Sequence, residues 1–176
     1  TVLFDAAARE ATASGHEPPF RLRPGLIDQI LSLYDAVRRQ RQTLDVFERL
    51  LVEELEPQAE ADRGADRMLR QTRFLAAAFR AYERRAAESG AIDEHRLRDL
   101  VLESPADPVF RHLVVALGDR IAEPGGLWIA DFDLLARLSR LERLDVVVTE
   151  NLLATGLHER LHDLLPGIEE VTLQDG

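Results

Sequence analysis

The sequence between Gly64 and Gly90 carries the longest uninterrupted helical pattern of the chain. At about 100° per residue, one face of this segment collects apolar side chains and another collects arginines. Gly90 follows the last periodic residue, at the position where a helix C-cap glycine is typical. The pattern therefore predicts one long amphipathic helix whose apolar face lies in a core. The apolar face consists of Met68, Leu75, Ala78, Phe79, Tyr82 and Ala86, and the arginine face of Arg70, Arg73, Arg80 and Arg84.

Amphipathic patterns on both sides of this segment predict a helical subdomain over residues 20–104. A helix over 25–40 has Pro24 near its first position, where the missing amide proton does no harm. Thr43 is placed to cap the next helix through its hydroxyl. After that helix, a loop with several acidic residues leads into the long helix.

Both ends of this helical part also have short helical patterns. Residues 1–19 predict a frayed N-terminal helix followed by a linker. Asp93 is placed to cap a helix over 94–103. The inward side chains predicted for that last helix are Leu97, Leu100 and Val101.

A change of pattern after Pro105 and Pro108 predicts a small α/β subdomain over residues 105–176. Its strands alternate with a helix capped by Asp131 and a helix around 150–165, which is typical of a parallel sheet. So small a sheet would have open edges, which favours membership of a larger sheet or self-association. The predicted strands are Leu113–Leu117, Leu144–Thr149 and Ile168–Leu173. The expected fold class is therefore mainly α, a helical subdomain followed by about three parallel strands.

The composition limits the classes of function. The 176 residues contain no cysteine and no apolar run long enough to span a membrane, which predicts a cytoplasmic protein without membrane contact. All 22 basic residues are arginine, so the chain supplies no phosphate-loop or Schiff-base lysine. The net charge of −10 argues against broad binding of nucleic acid. Residues 63–88 are the exception, with seven arginines against three acids.

The arginines of this basic segment are candidates for contact with DNA phosphates. Three further arginines, at the end of the 25–40 helix, are candidates for the same contact. The alternative for all of them is pairing with nearby acids such as Glu53, Glu56 and Glu60. The candidate DNA-binding residues are Arg70, Arg73, Arg80, Arg84, Arg38, Arg39 and Arg41.

Residues His158, Glu159 and His162 match the H-E-x-x-H pattern, in which two histidines one turn apart bind zinc and the glutamate is a general base. The extended form of the motif needs glycine and histidine where this chain has Leu165 and Ile168. A proline also ends the helix before a later helical glutamate could follow. The two open interpretations are a zinc-dependent hydrolase, with zinc as its cofactor, and an ordinary packed or solvated helix.

Acids near the predicted strands offer a weaker metal hypothesis. Asp119 follows the first strand, where α/β proteins often place a metal-binding acid. Asp131 and Asp133 are two positions apart and do not share a helix face. Helix capping is the simpler role for Asp131, and Gly125-Gly126 indicates only a turn.

Five stretches of the chain resemble the AddB-like subunits of bacterial helicase–nucleases. They are FRLRPGLIDQILSLYDAVRRQ (20–40), DRGADRMLRQTRFLAAAFRAYERRAAESGAIDEHRLRDL (62–100), FRHLVVALGD (110–119), GLWIADFDLLARL (126–138) and LDVVVTE (144–150). In that family a helicase-like part of superfamily 1 precedes a nuclease domain of the PD-(D/E)XK type. The long helices resemble the helical insertion called 1B, and the later stretches resemble the sheet that resumes after it.

The resemblance implies a fragment without catalytic activity of its own. An active helicase ends the first of these strands in an Asp-Glu pair, whereas this chain has Leu117-Gly118-Asp119. The implied function is a non-catalytic segment of a DNA-repair helicase–nuclease that guides DNA or supports neighbouring domains, without a cofactor. Its implied partners are DNA and a helicase–nuclease subunit. A third hypothesis, besides this one and the zinc hydrolase, is an acidic protein-interaction module.

Overall fold

The computed structural model of the chain forms two compact units, Thr1–Leu100 and Val101–Gly176. The residues that it describes are 2–90, 92–104, 110–118, 127–138 and 140–172. Most of them are helical, which confirms a mainly α fold. Within these ranges, no helix combines the length and the apolar character needed to cross a membrane.

Within the residues described before the first strand, the chain forms five helices. Their ends agree with the predicted capping residues, since Thr43 accepts the amide proton of Val46 at 3.2 Å and Asp93 accepts that of Arg96 at 2.7 Å. Gly90 has a φ of 71°, the left-handed conformation expected just beyond a helix end. The helices are α1 (Val2–Ala13), α2 (Pro24–Arg39), α3 (Leu44–Leu55), α4 (Arg63–Glu88) and α5 (Glu94–Glu103), with a 3-10 turn at Glu56–Gln58.

We expect Thr43→Ala to lower the free energy of unfolding of the first unit by about 1 kcal/mol, because the first turn of α3 loses its side-chain acceptor. Thr43→Ser keeps the hydroxyl and is expected to stay near the wild type. Urea denaturation followed by tyrosine near-UV circular dichroism would measure both. An equal loss for the serine variant would show that the hydroxyl is not what stabilises this helix end.

The core of the first unit is built on aromatic side chains of α1, α2 and α4. Phe79 lies 5.2 Å from Tyr34 and 6.0 Å from Phe4 between ring centroids, and Phe4 and Phe79 are fully buried. The N-terminal helix is thus not frayed as expected, because α1 buries Phe4 against α4. The buried members of this cluster are Phe4, Ala8, Ala11, Ile27, Ile30, Tyr34, Leu44, Phe74, Leu75, Ala78 and Phe79.

The predicted core face of α4 is only partly correct, and that of α5 is wrong. Met68 is 53 % exposed although it shares a helix face with Leu75, because the aromatic partners from α1 and α2 contact α4 further along. On α5 the predicted inward residue Leu97 is 55 % exposed, and the next two, Leu100 and Val101, are exposed as well. The packed side of α5 instead carries His95, whose ring lies against Tyr34 and contacts Asp35 at 3.0 Å.

The described residues of the second unit form two parallel strands, with helices between and after them. Leu113 pairs with Leu144, and Val115 with Val146, as the alternation of strands and helices predicted. The elements are β1 (His112–Ala116), α6 (Ile129–Ala136), β2 (Arg143–Val147), α7 (Glu150–Leu152) and α8 (His158–Leu164), with a π turn at Leu153–Leu157 joining the last two. Its core contains Leu127, Phe132, Leu152, Leu157 and Leu161, with Val115, Leu117, Val146 and Val148 packed against them.

The expected third strand is not formed over residues 168–172, and Leu173 lies outside the described residues. After α8 the chain turns at Gly167, whose φ is 92°. Ile168 then packs against the second core, and Glu170 is held by two histidines of α8. These contacts direct the segment along the helix, so its backbone does not pair with the sheet.

Asp131 differs slightly from its predicted role. The helix begins three residues earlier than expected, and Trp128 is its N-cap. The carboxylate of Asp131 accepts the backbone amide proton of Trp128 at 2.9 Å from the third helical position. The residue therefore still stabilises this helix start, but from inside the first turn.

Candidate functional site

The arginine face of α4, defined as Arg70, Arg73, Arg80 and Arg84, is bordered by acidic side chains. Arg70 contacts Asp66 at 2.7 Å, one turn earlier on the same helix. Arg73 contacts Glu56 at 2.8 Å, and Glu56 is one of the acids that the pairing hypothesis named. The start of the arginine face is thus ion-paired.

The end of the arginine face is also ion-paired, with acids of two other helices. Arg80 contacts Asp45 at 2.6 Å and Glu48 at 2.7 Å, both from α3. Arg84 contacts Glu10 of α1. Because these acids come from neighbouring helices, the pairs bridge α4 to α1 and α3.

These pairs nevertheless leave the guanidinium groups accessible. The side chains of Arg70 and Arg84 are 58 % and 50 % exposed, and Asp45 is 85 % exposed. Exposed ion pairs contribute about 0–1 kcal/mol each and are screened by salt. A phosphate group arriving from solution can therefore compete with the acids for this face.

The other three candidate arginines converge on α5. Arg38 and Arg41 contact the two carboxylate oxygens of Asp99 at 3.0 and 2.9 Å. Arg39 lies 4.0 Å from Glu94. The side chains of Arg38 and Arg39 are each 23 % exposed, less than any arginine of the α4 face, and therefore fit a structural role better than a DNA contact. Arg41 is 41 % exposed.

Arg38 and Asp99 also line a cleft of about 510 Å³ in the first unit. Tyr34 and Glu83 face it from α2 and α4, and the tyrosine hydroxyl donates to the Glu83 carboxylate at 3.0 Å. Burial, together with the negative charge of Glu83, raises the pKa of Tyr34 above its usual range. The hydroxyl therefore stays protonated and acts as a hydrogen-bond donor in this cleft.

The two histidines of the H-E-x-x-H pattern meet a carboxylate that the motif did not predict. One oxygen of Glu170 lies 2.6 Å from Nε2 of His158 and 2.7 Å from Nε2 of His162. The two rings are 4.6 Å apart between centroids. Ligand atoms of the three residues all lie within 4.8 Å of one another, a spacing that could hold a metal ion.

The electrostatics of this cluster follow from its hydrogen bonds. The bond from His162, with a second from His158, lowers the pKa of Glu170 below its usual range. The carboxylate is therefore ionised at neutral pH, which is the form that binds cations. Glu159, the expected general base, is exposed on the same helix.

The sequence patterns did not directly predict Glu170 as a third ligand beside the two histidines. The extended form of the motif places its third ligand at position 168 and the other form places it on a later helix, whereas Glu170 follows a turn at Pro166-Gly167. The left-handed φ of Gly167 is part of that turn. The proline and glycine follow the end of the helix, as predicted, and also lead into the segment that returns along it.

The acids near the strands give no comparable cluster within the described residues. Asp119 and the Gly125-Gly126 loop lie outside those residues. Asp131 is occupied in the helix start described above.

Comparisons of the chain with protein-family models, curated proteins and solved structures give no match. The resemblance to AddB-like subunits thus stays a prediction from the sequence.

Proposed function

We propose that this chain is a non-catalytic helicase-like segment of a DNA-repair helicase–nuclease, in which α4 guides DNA along its arginine face. The observation that carries the proposal is the placement of four accessible arginines on one side of one helix. Residues 70 to 84 extend over about 21 Å at 1.5 Å per residue, a length that several phosphates of a DNA strand would match. Phosphates contacted in this way position a DNA strand without selecting its sequence.

The order of the two units supports the helicase-like part of the proposal. A helical unit is followed by β1, a crossover with α6, and β2, and the two strands are parallel. A sheet that resumes after a helical insertion has this order. Two parallel strands seldom stand alone, so the edges of the two described strands favour additional strands from neighbouring segments or from a partner subunit.

The sequence supports the absence of catalysis. A phosphate loop needs a lysine, and the chain contains none. Leu117-Gly118 stands before Asp119, where the resemblance would place an Asp-Glu pair in an active helicase. The chain would therefore contribute shape and charge to a larger machine.

Charge distribution determines which part would meet DNA. The first 100 residues carry 16 arginines against 18 acids, whereas residues 101–176 carry six against 14. The second unit would thus repel DNA more strongly. Within the first unit, α4 has the most favourable local charge.

We expect weak binding of single- and double-stranded oligonucleotides that falls steeply between about 50 and 200 mM salt. Arg70→Ala combined with Arg80→Ala should raise Kd about threefold to tenfold and reduce the salt slope by about 1 per lost phosphate contact. Fluorescence anisotropy on labelled oligonucleotides would measure both quantities.

A matched control is Arg9→Ala combined with Arg49→Ala, which removes two exposed arginines that also pair with acids on their own helices. Its net charge equals that of the test variant. If the control weakens binding as much as the test variant, the effect is one of net charge and α4 is not the DNA contact. Absence of any salt-dependent binding by the wild type would also exclude DNA guidance by α4.

A further inference from the structure

We propose that His158, His162 and Glu170 form a binding site for a divalent transition-metal ion of the zinc class. Glu170 would be the third protein ligand, and the fourth position would be open to water or a small ligand. This inference is independent of the proposed DNA contact, since the three residues belong to the second unit and the arginine face to the first.

The two histidines are each preceded by a buried leucine that anchors this part of the chain. Leu157 is fully buried and Leu161 nearly so, and both belong to the second core. The packed leucines fix the rotation of α8, so His158 and His162 lie one turn apart on its solvent side. Their imidazoles therefore form a preorganised pair of nitrogen ligands.

Glu170 reaches this pair because the chain reverses after α8. Ile168 packs against the second core, and Gly167 adopts the left-handed φ that the reversal needs. One oxygen of Glu170 then lies between the two Nε2 atoms. A residue eight positions after the motif is thereby placed where a third ligand is needed.

The distances suit an ion after a small adjustment. In a tetrahedral site, zinc bonds of about 2.0–2.1 Å place neighbouring ligand atoms about 3.3 Å apart. The present separations of 2.6 and 2.7 Å would widen by about 0.6 Å. The exposed Glu170 side chain can make this movement by changing its rotamer, without displacing the core.

The donor set selects the class of ion. Two imidazole nitrogens and one carboxylate oxygen suit zinc, and also cobalt, nickel and copper, whereas magnesium and calcium prefer all-oxygen sites. A bound ion would clamp the segment after α8 onto the helix. We therefore expect the ion to order residues 168–172 in addition to binding at α8.

The test is a zinc titration of the full chain purified without a histidine tag, using calorimetry and elemental analysis. We expect one zinc per chain with a micromolar Kd. Glu170→Gln should weaken binding about tenfold or more, and His162→Ala should abolish it. Cobalt substitution should give the intense visible absorption of a four-coordinate site.

Two variants serve as matched controls. Glu159→Gln makes the same charge change between the two histidines, and His112→Ala removes an exposed histidine that contacts a single carboxylate, Asp145, at 2.8 Å. Both should leave zinc affinity unchanged. Far-UV circular dichroism would establish that each variant is folded.

Three results would overturn the proposal. The first is the absence of zinc binding by the folded wild type. The second is an affinity that Glu170→Gln leaves unchanged, which would reduce the cluster to two histidines. The third is an equal loss for Glu159→Gln, which would point to general electrostatic attraction by an acidic surface.

Discussion

Replacing Phe79 by alanine is expected to lower the free energy of unfolding of the first unit by about 3–5 kcal/mol. The ring is fully buried and lies between Phe4 of α1 and Tyr34 of α2. Its removal would lose the free energy of transferring a phenyl group from water to the core. It would also leave a cavity among α1, α2 and α4 that movements of these helices would not fill. Such a loss is a large part of the stability of an ordinary domain.

The two units can be followed separately in this experiment. Both tyrosines of the chain, Tyr34 and Tyr82, are in the first unit, and its single tryptophan, Trp128, is in the second. Urea denaturation followed by tyrosine near-UV circular dichroism should show the loss, and tryptophan fluorescence should change little. Met68→Ala is the matched control on the same helix, with an expected loss below about 1 kcal/mol because the side chain is 53 % exposed. Equal losses for the two variants would contradict the core that we describe.

The second large effect is expected at the N-terminus. Phe4→Ala should lower the free energy of unfolding by about 3–5 kcal/mol, since Phe4 is fully buried and contacts Phe79 and Tyr82. A loose terminal helix would show almost no effect. The experiment therefore decides whether α1 is an integral part of the first unit.

Limited proteolysis adds a second measurement at this helix. Phe4→Ala should expose α1 to cleavage at lower protease concentrations than the wild type, because its main anchor to α4 is gone. Val2→Ala is the control, as Val2 is largely exposed on the same helix. Unchanged stability and unchanged cleavage of Phe4→Ala would mean that α1 does not depend on this anchor.

The predictions that succeeded concern features set by a few consecutive residues. Thr43 and Asp93 cap helices because their side chains reach amide protons three positions away. The helical periodicity of α4, and the alternation of strand and helix that predicted β1 and β2, are likewise local patterns. The same patterns predicted the wrong buried side for α5, because the side of a helix that is buried depends on the element that packs against it.

The arginine face shows the same limit for charged residues. The spacing of Arg70, Arg73, Arg80 and Arg84 predicts that they share one side of a helix. Their acidic partners were predicted only in part, since Glu56 was a predicted partner and Glu10 was not. Arg84 meets Glu10 because α1 packs against the second half of α4, a contact between residues far apart in the chain.

The long helix that organises the first unit was thus determined by its own sequence, including its end just before Gly90. Hydrogen bonding and periodicity act over three or four residues, so a single sequence suffices to predict them. Tertiary structure alone decided that α1 packs on α4, that Met68 stays exposed, and that Glu170 joins His158 and His162. Each of these outcomes depends on chain reversals that bring distant residues together, and local spacing does not specify where such reversals lead.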